Sequence, residues 1–252
     1  MNISAVIITF NEERNIDRCL SSLNGIADEI VVVDSFSTDA TRDICTAHNV
    51  RFEEHKFEGH IEQKNYAISL AKNDWVLSLD ADEEITEELK TSILEAKNLQ
   101  GFGAFELKRL TNFCGKWVRH CGWYPDKKIR LWNRTMGQWG GQNPHDKVVM
   151  QSGVKIGQLR GDLLHYSFYK LSEHIAQIQK FSSIAAEAAF RNGKRANMMT
   201  NIIIGPFYTF IKKFILQAGF LDGYTGFIIS MNTAYSKFLK YIKLREIQQR
   251  NG

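Results

Sequence analysis

Residues 75–84 read WVLSLDADEE, an apolar run that ends in four acidic side chains within five residues. Trp75–Leu79 has the length of a strand and is apolar or small on both faces, which predicts a buried strand. The acids follow at its carboxyl end, the edge at which open α/β sheets bind ligands. Asp80 and Asp82 are separated only by Ala81, so both carboxylates can approach one hard cation. The alternative is a solvated acidic turn that caps the next helix.

The first hundred residues alternate between strand and helix patterns. Apolar, β-branched runs predict strands at Ile3–Phe10, Glu29–Val33 and Val50–Phe52. Helical spacing of apolar residues predicts helices at 16–23, from the 35–39 turn to Ile44, at 60–71, and after Thr86, which is suited to cap it. This alternation predicts a mostly parallel α/β sheet with helices on both faces.

Two further polar strand ends are expected beside Asp80 and Asp82. Asn11 follows the first strand and Asp34 ends the second, and parallel strands bring such ends to one sheet edge. The sequence therefore predicts a single acidic crevice. GxGxxG and GxxxxGK[ST] are absent, which excludes a Rossmann dehydrogenase and a P-loop enzyme, and the acidic turn lacks EF-hand spacing. The remaining possibility is a site that holds a nucleotide through Asp side chains and a bridging divalent cation.

Three blocks now carry a family resemblance: TFNEE at 9–13, VDSFSTDAT at 33–41 and LDADE at 79–83. Together with KNYA at 64–67 they resemble the nucleotide-sugar domain of family 2 glycosyltransferases. The resemblance implies a GT-A fold, an α/β mixed sheet flanked by helices, with a C-terminal helical extension. It implies that the base, ribose and diphosphate contact residues among Thr9, Asn11, Glu13, Asp34, Lys64, Asp80, Arg130 and His165. It further implies that Asp82, with Asp80, binds Mn²⁺ or Mg²⁺.

The middle of the chain is expected to receive the acceptor. Residues 117–139 mix aromatic and basic side chains, which can stack on sugars and pair with phosphates, or can simply pack as a folded lid. Glycosyl transfer needs a base near the acceptor hydroxyl. Resembling enzymes use a His-Glu or Glu-Asp pair in this region, and here the pair is His145-Asp146, which makes Asp146 the candidate base. The alternative is that Asp146 is a surface partner of Lys147.

Leu163–Ser167 ends the predicted catalytic region, and its histidine, His165, has two interpretations. It is either a satisfied core histidine or, as the resemblance implies, a late residue that reaches the metal or the diphosphate. These boundaries predict a catalytic domain over 1–170, with its nucleotide-binding part at about 1–110 and its acceptor part at about 111–170. A helical extension is predicted over 171–252, beginning with a helix capped by Ser172.

The extension is basic as well as apolar. From Lys194 onward nine basic residues face two acids, a net charge of +7, whereas the residues before it sum to −3. Its longest uncharged stretch, 196–211, is shorter than a spanning helix. Basic residues beside apolar faces are typical of an interfacial membrane helix. The alternative is a helical hairpin that packs on the core or forms a homo-oligomer. Residues 219–223, GFLDG, also resemble the tail of lipopolysaccharide core glucosyltransferases.

Cysteine usage and the amino terminus predict the compartment. Four cysteines occur without a secretory signal pattern, since the first apolar run is short and no basic segment precedes it. Reduced thiols in a cytoplasmic protein are therefore expected. With the basic, apolar extension, this predicts a protein peripheral to the inner face of the cytoplasmic membrane.

The sequence thus predicts an inverting, metal-assisted glycosyltransferase. By resemblance the donor is UDP-glucose and the acceptor a lipid-linked or lipopolysaccharide-core saccharide. One alternative is a catalytically inactive module that binds nucleotide sugars, and another is a glycosyltransferase for a different polysaccharide or a protein. A nucleic-acid-binding function is not expected, because the basic residues of the extension are interleaved with aliphatic ones.

Overall fold

A computed structural model describes residues 1–142 and 145–250, and for Gln142 and His145 it describes the backbone only. The chain forms two compact units, 1–109 with 126–166 and 110–125 with 167–252. The strands are β1 (Ile3–Thr9), β2 (Glu29–Asp34), β3 (Arg51–Glu54), β4 (Trp75–Asp80), β5 (Glu83–Ile85), β6 (Ala104–Phe113), β7 (Lys116–Val118), β8 (Asp126–Asn133), β9 (Gly137–Gln142), β10 (His145–Met150) and β11 (Ile156–Phe168).

The helices of the first unit flank its sheet, and those of the second unit make up most of it. They are α1 (Ile16–Ser22), α2 (Thr41–Ala47), α3 (His60–Ser69), α4 (Glu87–Ala96), α5 (Leu171–Arg191), α6 (Gly205–Ile211) and α7 (Gly223–Arg250). Turns of π-helix, Met198–Ile204 and Lys212–Leu216, continue α6 at both ends, and a 3₁₀ turn, Gly219–Asp222, precedes α7.

The main sheet is mixed, with strand order β3-β2-β1-β4-β8-β6-β11-β5. Strands β1 to β4 are parallel where they pair, and β8 runs antiparallel to β4. In register, Thr9 lies opposite Asp34 and Ile8 lies opposite Asp80. The predicted strand ends therefore meet at one edge of the sheet.

Alternating side chains of β1 enter two separate cores of the first unit. Ile3, Ala5 and Ile7 pack with the buried residues of α1 and α4, whereas Val6 packs with α3 and with Trp132 and Trp139. This alternation follows from the period of two along a strand. Both faces of the parallel strands are covered, so the near-continuous apolar runs in the sequence are explained.

Several local predictions can be compared with the structure. The Thr86 cap is confirmed, because its hydroxyl accepts the Leu89 N–H at 3.3 Å. The Ser172 cap is wrong: α5 starts at Leu171, and Glu173 Oε2 accepts the N–H of Lys170 at 3.1 Å. Glu83 and Glu84 form β5, which pairs with β11, and α4 begins at Glu87.

Within the second unit, Asp222 of the GFLDG segment connects the start of α7 to residues 116–120. Its carboxylate accepts the His120 N–H at 2.8 Å and lies 3.0 Å from His120 Nδ1. Lys116 Nζ donates to the Asp222 carbonyl at 2.7 Å. A Cβ at Gly226 would lie 1.8 Å from the Gly219 carbonyl oxygen, so the start of α7 requires glycine there. The segment thus holds 116–120 to α7.

The second unit also exposes many large apolar side chains. Phe207 and Leu216 are 68% exposed, and Tyr224 is 79% exposed. In the part of the chain that the structure describes, no single helix is long and apolar enough to cross a bilayer. Met198–Leu216 and Gly219–Arg250 meet that criterion only as a pair, across a bend of 70°.

A buried histidine, His174, is expected to make the stability of the protein pH-dependent. His174 lies among the rings of Phe113, Trp123 and Phe168, at centroid distances of 5.1, 6.0 and 4.8 Å. Burial lowers its pKa from the ordinary 6.5 to about 4. Between these values the unfolded chain binds the proton and the folded chain does not, so stability is expected to fall as the pH falls from about 6.5 towards 4.

The measurement is thermal melting at about pH 7.5 and 5. His174→Gln should lose less melting temperature than the wild type over this interval, because it lacks the proton uptake on unfolding. The matched variant of an exposed histidine, His60→Gln, should keep the wild-type loss. Equal losses in all three proteins would show that His174 does not couple pH to stability.

Candidate active site

The ends of β1 and β2 are joined by side chains that hold the 35–41 loop. Asp34 is buried, and its two carboxylate oxygens accept the Ser37 N–H at 2.7 Å and the Ser37 hydroxyl at 2.5 Å. Asn11 donates its N–H to the Ser37 hydroxyl oxygen at 2.7 Å and accepts the Thr38 N–H at 2.8 Å. Glu13 accepts the N–H of Ala40 at 3.1 Å. These polar residues therefore fix the backbone around the first part of the crevice.

At the end of β4, Asp80 lies between two buried cations. Its Oδ1 is 3.0 Å from Lys64 Nζ and its Oδ2 is 2.8 Å from Arg130 Nη2. Burial raises the pKa of Asp80, but the charges of Lys64 and Arg130 outweigh it and hold this pKa well below its usual range. The carboxylate therefore stays ionised, and both of its oxygens are engaged.

Arg130 lies at an irregularity in the sheet. Phe105 of β6 pairs with Leu131 and Glu106 pairs with Ile129, so Arg130 has no partner in this register. Such bulges redirect a side chain next to functional sites. The Nη2 atom of Arg130 lies 2.8 Å from Asp80 Oδ2 and 2.6 Å from the fully buried carboxylate of Glu83. Its Nε and Nη1 are buried without a hydrogen bond to any residue that the structure describes.

Lys64 connects the predicted nucleotide end of the crevice to the predicted base. Its buried Nζ lies 2.7 Å from Asp146 Oδ2 in β10, in addition to its contact with Asp80, and 4.3 Å from the centre of the Trp139 ring. Asn65, the next residue, exchanges two hydrogen bonds with the backbone of Trp139, at 3.0 and 3.1 Å. The KNYA segment therefore both supplies the cation and attaches α3 to β9.

Asp82 forms a separate pair with His165. Its Oδ2 lies 3.1 Å from His165 Nε2, and its carbonyl accepts the N–H of Tyr166 at 2.9 Å. Burial lowers the pKa of His165, but the charge of Asp82 raises it more, so the net pKa is above its usual value. The structure thus brings a carboxylate oxygen and an imidazole nitrogen together at the edge where Asp80 ends β4.

The predicted residues are placed unequally. Lys64, Asp80, Arg130 and Asp146 form one connected ionic cluster, Asp82 and His165 form a pair, and Asn11, Glu13 and Asp34 hold a loop. Thr9 is buried at the end of β1, and its hydroxyl finds no hydrogen-bond partner among residues 1–142 and 145–250. Asp146 pairs with Lys64 and not with the neighbouring Lys147. The His145 side chain lies outside the described part of the chain.

Sequence reasoning missed Glu83 and Arg109 as organisers of this cluster. Glu83 accepts the Asp80 N–H at 3.0 Å, and its other oxygen binds Arg130 and, at 3.3 Å, Arg109. Arg109 also contacts Asp126 at 2.8 Å. A signal existed, because four acids in five residues need nearby cations, and basic residues inside otherwise apolar strand runs are candidates to supply them.

The ionic cluster leads to a prediction on stability. Replacing Arg130 with Met leaves the fully buried Glu83 and the adjacent Asp80 short of a counterion, so the free energy of unfolding is expected to fall by about 3–5 kcal/mol. Urea denaturation measures this. The matched variant Arg160→Met breaks an exposed pair with Glu95 and should cost at most about 1 kcal/mol. Equal losses in the two variants would contradict the role of Arg130.

A mixed, helix-flanked sheet with an acidic crevice at the ends of its parallel strands defines the GT-A class of transferases. The structure of S. aureus TarS in complex with UDP shares this fold, with a TM-score of 0.50 and 16% identity over 100% of this chain and 92% of that one. The fold prediction is therefore confirmed.

The particular family follows from sequence comparison. Residues 4–155 match the model of glycosyl transferase family 2. An uncharacterised glycosyltransferase of Rickettsia typhi is 33% identical over 97% of this chain and 87% of its own length. The lipopolysaccharide core biosynthesis glycosyltransferase LpsC of Rhizobium meliloti is 28% identical over 96% of this chain and 91% of that protein. The chain belongs to glycosyl transferase family 2 and is a glycosyltransferase, as its sequence motifs predicted.

Proposed function

We propose that this glycosyltransferase moves a hexose, with glucose as the first candidate, from a UDP donor to a saccharide acceptor with inversion at the anomeric carbon. The observation that carries the proposal is the Lys64 ammonium, which contacts Asp80 at the end of β4 and Asp146 in β10. One buried cation thereby links the predicted nucleotide end of the site to a carboxylate suited to act on an acceptor. The alternative of an inactive nucleotide-sugar-binding module is disfavoured by this retained carboxylate.

Asp146 is the proposed general base. As the acceptor oxygen attacks the anomeric carbon, its proton passes to the Asp146 carboxylate and the bond to the UDP oxygen breaks. Attack from the face opposite the leaving group converts an α-linked donor into a β-linked product. Lys64 fixes the orientation of Asp146, which matters because a base must lie within hydrogen-bond reach of the proton that it removes.

The donor set at Asp82 and His165 fits a divalent cation. Carboxylate oxygen suits Mg²⁺ and Mn²⁺, and neutral imidazole is a common metal ligand. The two side chains already lie 3.1 Å apart, and diphosphate oxygens would complete the coordination. Both Asp80 oxygens are engaged by Lys64 and Arg130, so Asp80 would ligate the metal only if one cation moved. When bound, the cation supplies positive charge to the departing diphosphate.

The remaining predicted residues are proposed to form the nucleotide pocket. Asp34 and Asn11 hold the 35–41 loop in one conformation, so that the loop and the Asp34 carboxylate meet the base as a preorganised surface. Thr9 and Glu13 support the same edge, and the orphan Thr9 hydroxyl is available for a ligand contact. Such preorganisation reduces the entropy lost when the nucleotide binds.

The acceptor is proposed to be a lipid-linked or lipopolysaccharide-core saccharide. The similarity to LpsC over almost the whole chain supports this, and so does the surface of the second unit. Exposed apolar patches can mark interaction sites. Phe207, Leu216 and Leu221 are exposed in the same unit as Lys237 and Lys240, a combination that suits an anionic bilayer surface. The protein is accordingly proposed to be a peripheral protein of the cytoplasmic membrane.

Sedimentation with phosphatidylglycerol vesicles tests the membrane proposal. The wild type should sediment with these vesicles, and much less with phosphatidylcholine vesicles, since lysines favour anionic lipid. Phe207→Ser with Leu221→Ser should abolish sedimentation. Leu99→Ser, which changes a leucine exposed to 52% in the first unit, should not. A wild-type protein that stays in solution and forms dimers would assign the apolar surface to a homo-oligomer.

The proposed donor is tested by a panel of nucleoside diphosphates and their sugars, read by thermal shift with Mn²⁺ and with EDTA. UDP and UDP-glucose should raise the melting temperature in Mn²⁺ and much less in EDTA, because ligands that bind the folded state stabilise it. GDP and ADP serve as the matched controls. A response to another nucleotide would replace the donor, and no response to any would contradict the function.

A further inference from the structure

A cavity beside the proposed base has an excess of positive charge. Its volume is about 670 Å³, within the range of ligand pockets, and it lies wholly in the first unit. Six basic and three acidic side chains line it, the acids being Asp80, Glu106 and Asp146. Glu83 and Asp126, which do not line the cavity, pair with three of these cations, so the net charge at the cavity is +1. Since Asp146 lines this cavity, an acceptor whose hydroxyl faces Asp146 must enter it.

The deep cations of the cavity are already neutralised by protein. Lys64 contacts Asp80 and Asp146. Arg130 contacts Asp80 and Glu83, and Arg109 contacts Glu83 and Asp126. These guanidinium and ammonium groups therefore contribute little of the excess charge.

The excess lies in three lysines on the open side. The Lys127 side chain is 47% exposed, and its ammonium group lies 3.5 Å from the Glu106 carboxylate, a long distance for an ion pair. Lys128, 41% exposed, lies 3.1 Å from Asp126, whose carboxylate Arg109 also uses. Lys147 is exposed and forms no ion pair with any residue that the structure describes. Flexible, half-exposed lysines with shared or distant acids attract an anion from solution.

We propose that the acceptor saccharide carries an acidic group, a carboxylate or a phosphate, that Lys127, Lys128 and Lys147 bind while its hydroxyl faces Asp146. The inference rests on the proposed function and adds the chemical class of the acceptor. These lysines are less suited to bind the diphosphate of the donor. Asp82 and His165, which are proposed to hold the diphosphate through a metal ion, do not line this cavity. Charge-assisted hydrogen bonds to such a group hold the acceptor in one orientation.

Three monosaccharide probes test this: glucose, glucuronic acid and glucose 6-phosphate, titrated into enzyme saturated with UDP and Mn²⁺. At least one acidic sugar should bind about fivefold or more tightly than glucose, the gain expected of a charge-assisted contact. The two acidic probes distinguish a carboxylate from a phosphate. Lys127→Gln with Lys147→Gln should remove the preference and leave UDP affinity unchanged.

The matched control is Lys72→Gln, because Lys72 also pairs loosely with a glutamate, at 3.7 Å from Glu29, and does not line this cavity. It should keep the preference for the acidic sugar. Equal or undetectable binding of all three sugars contradicts the inference. UDP binding in the same titrations reports separately on the proposed function, so failure of the one is distinguishable from failure of the other.

Discussion

The Asp146→Asn variant is expected to release UDP from UDP-glucose about 10²–10⁴-fold more slowly than the wild type, the usual contribution of a general base. Asparagine keeps the shape of the side chain and can still accept a hydrogen bond from Lys64, which lies 2.7 Å from Asp146. It cannot take up the proton of the attacking hydroxyl. The initial rate of UDP release, with water or a saccharide as acceptor, is the measurement.

The affinity for UDP separates loss of chemistry from loss of the site. It should change by less than about twofold in Asp146→Asn, because the substitution removes an interaction made in the transition state. Asp74→Asn, at a mostly exposed aspartate 3.8 Å from Arg134, is the matched control and should retain the wild-type rate. A wild-type rate in Asp146→Asn would place the base elsewhere.

The Asp82→Ala variant is expected to lose Mn²⁺-dependent turnover by about 100-fold or more, since a metal supplies several kcal/mol of charge stabilisation to a leaving group. Asp82 contacts His165 at 3.1 Å and forms no ion pair with a lysine or arginine among the residues that the structure describes. Turnover at increasing Mn²⁺ and the effect of Mn²⁺ on UDP affinity are the two measurements. In the variant, Mn²⁺ should no longer strengthen UDP binding.

Glu87→Ala provides the comparison for Asp82→Ala. Glu87 is an exposed acid in the first turn of α4, five residues further along the chain. Its removal should leave the Mn²⁺ dependence intact. Full Mn²⁺-stimulated activity in Asp82→Ala would contradict the proposal that Asp82 binds the metal, whatever the effect on stability.

Most elements of the fold could be predicted from short-range sequence patterns. Apolar runs marked β1, β2 and β4, and the Thr86 cap marked the start of α4, because these features depend on neighbouring residues. The convergence of Asp34 and Asp80 at one sheet edge could also be predicted, since parallel register places strand ends together. The antiparallel strands β8, β6 and β11 could not be ordered from sequence, because strand order is set by long-range packing.

The ion pairs within the candidate site could not be predicted from the sequence in the same way. Lys64 and Asp146 are 82 positions apart in sequence, and no periodicity reports their contact. Arg130 could be named through the family resemblance, but its position at a sheet irregularity depends on the pairing of β6 with β8. The role of Glu83 depends on its contacts with Arg109 and Arg130, which come from strands far along the chain and cannot be read from its acidic neighbours.

Proton NMR of UDP-glucose hydrolysis in Mn²⁺ tests the central claim most directly, because water replaces the unidentified acceptor. Enzyme is added at a concentration that completes hydrolysis before the anomers of free glucose equilibrate. A single displacement assisted by Asp146 predicts that β-glucose appears first, with an equal amount of UDP, and that EDTA stops the reaction. Initial release of α-glucose, or no hydrolysis of any nucleotide sugar, would contradict the account.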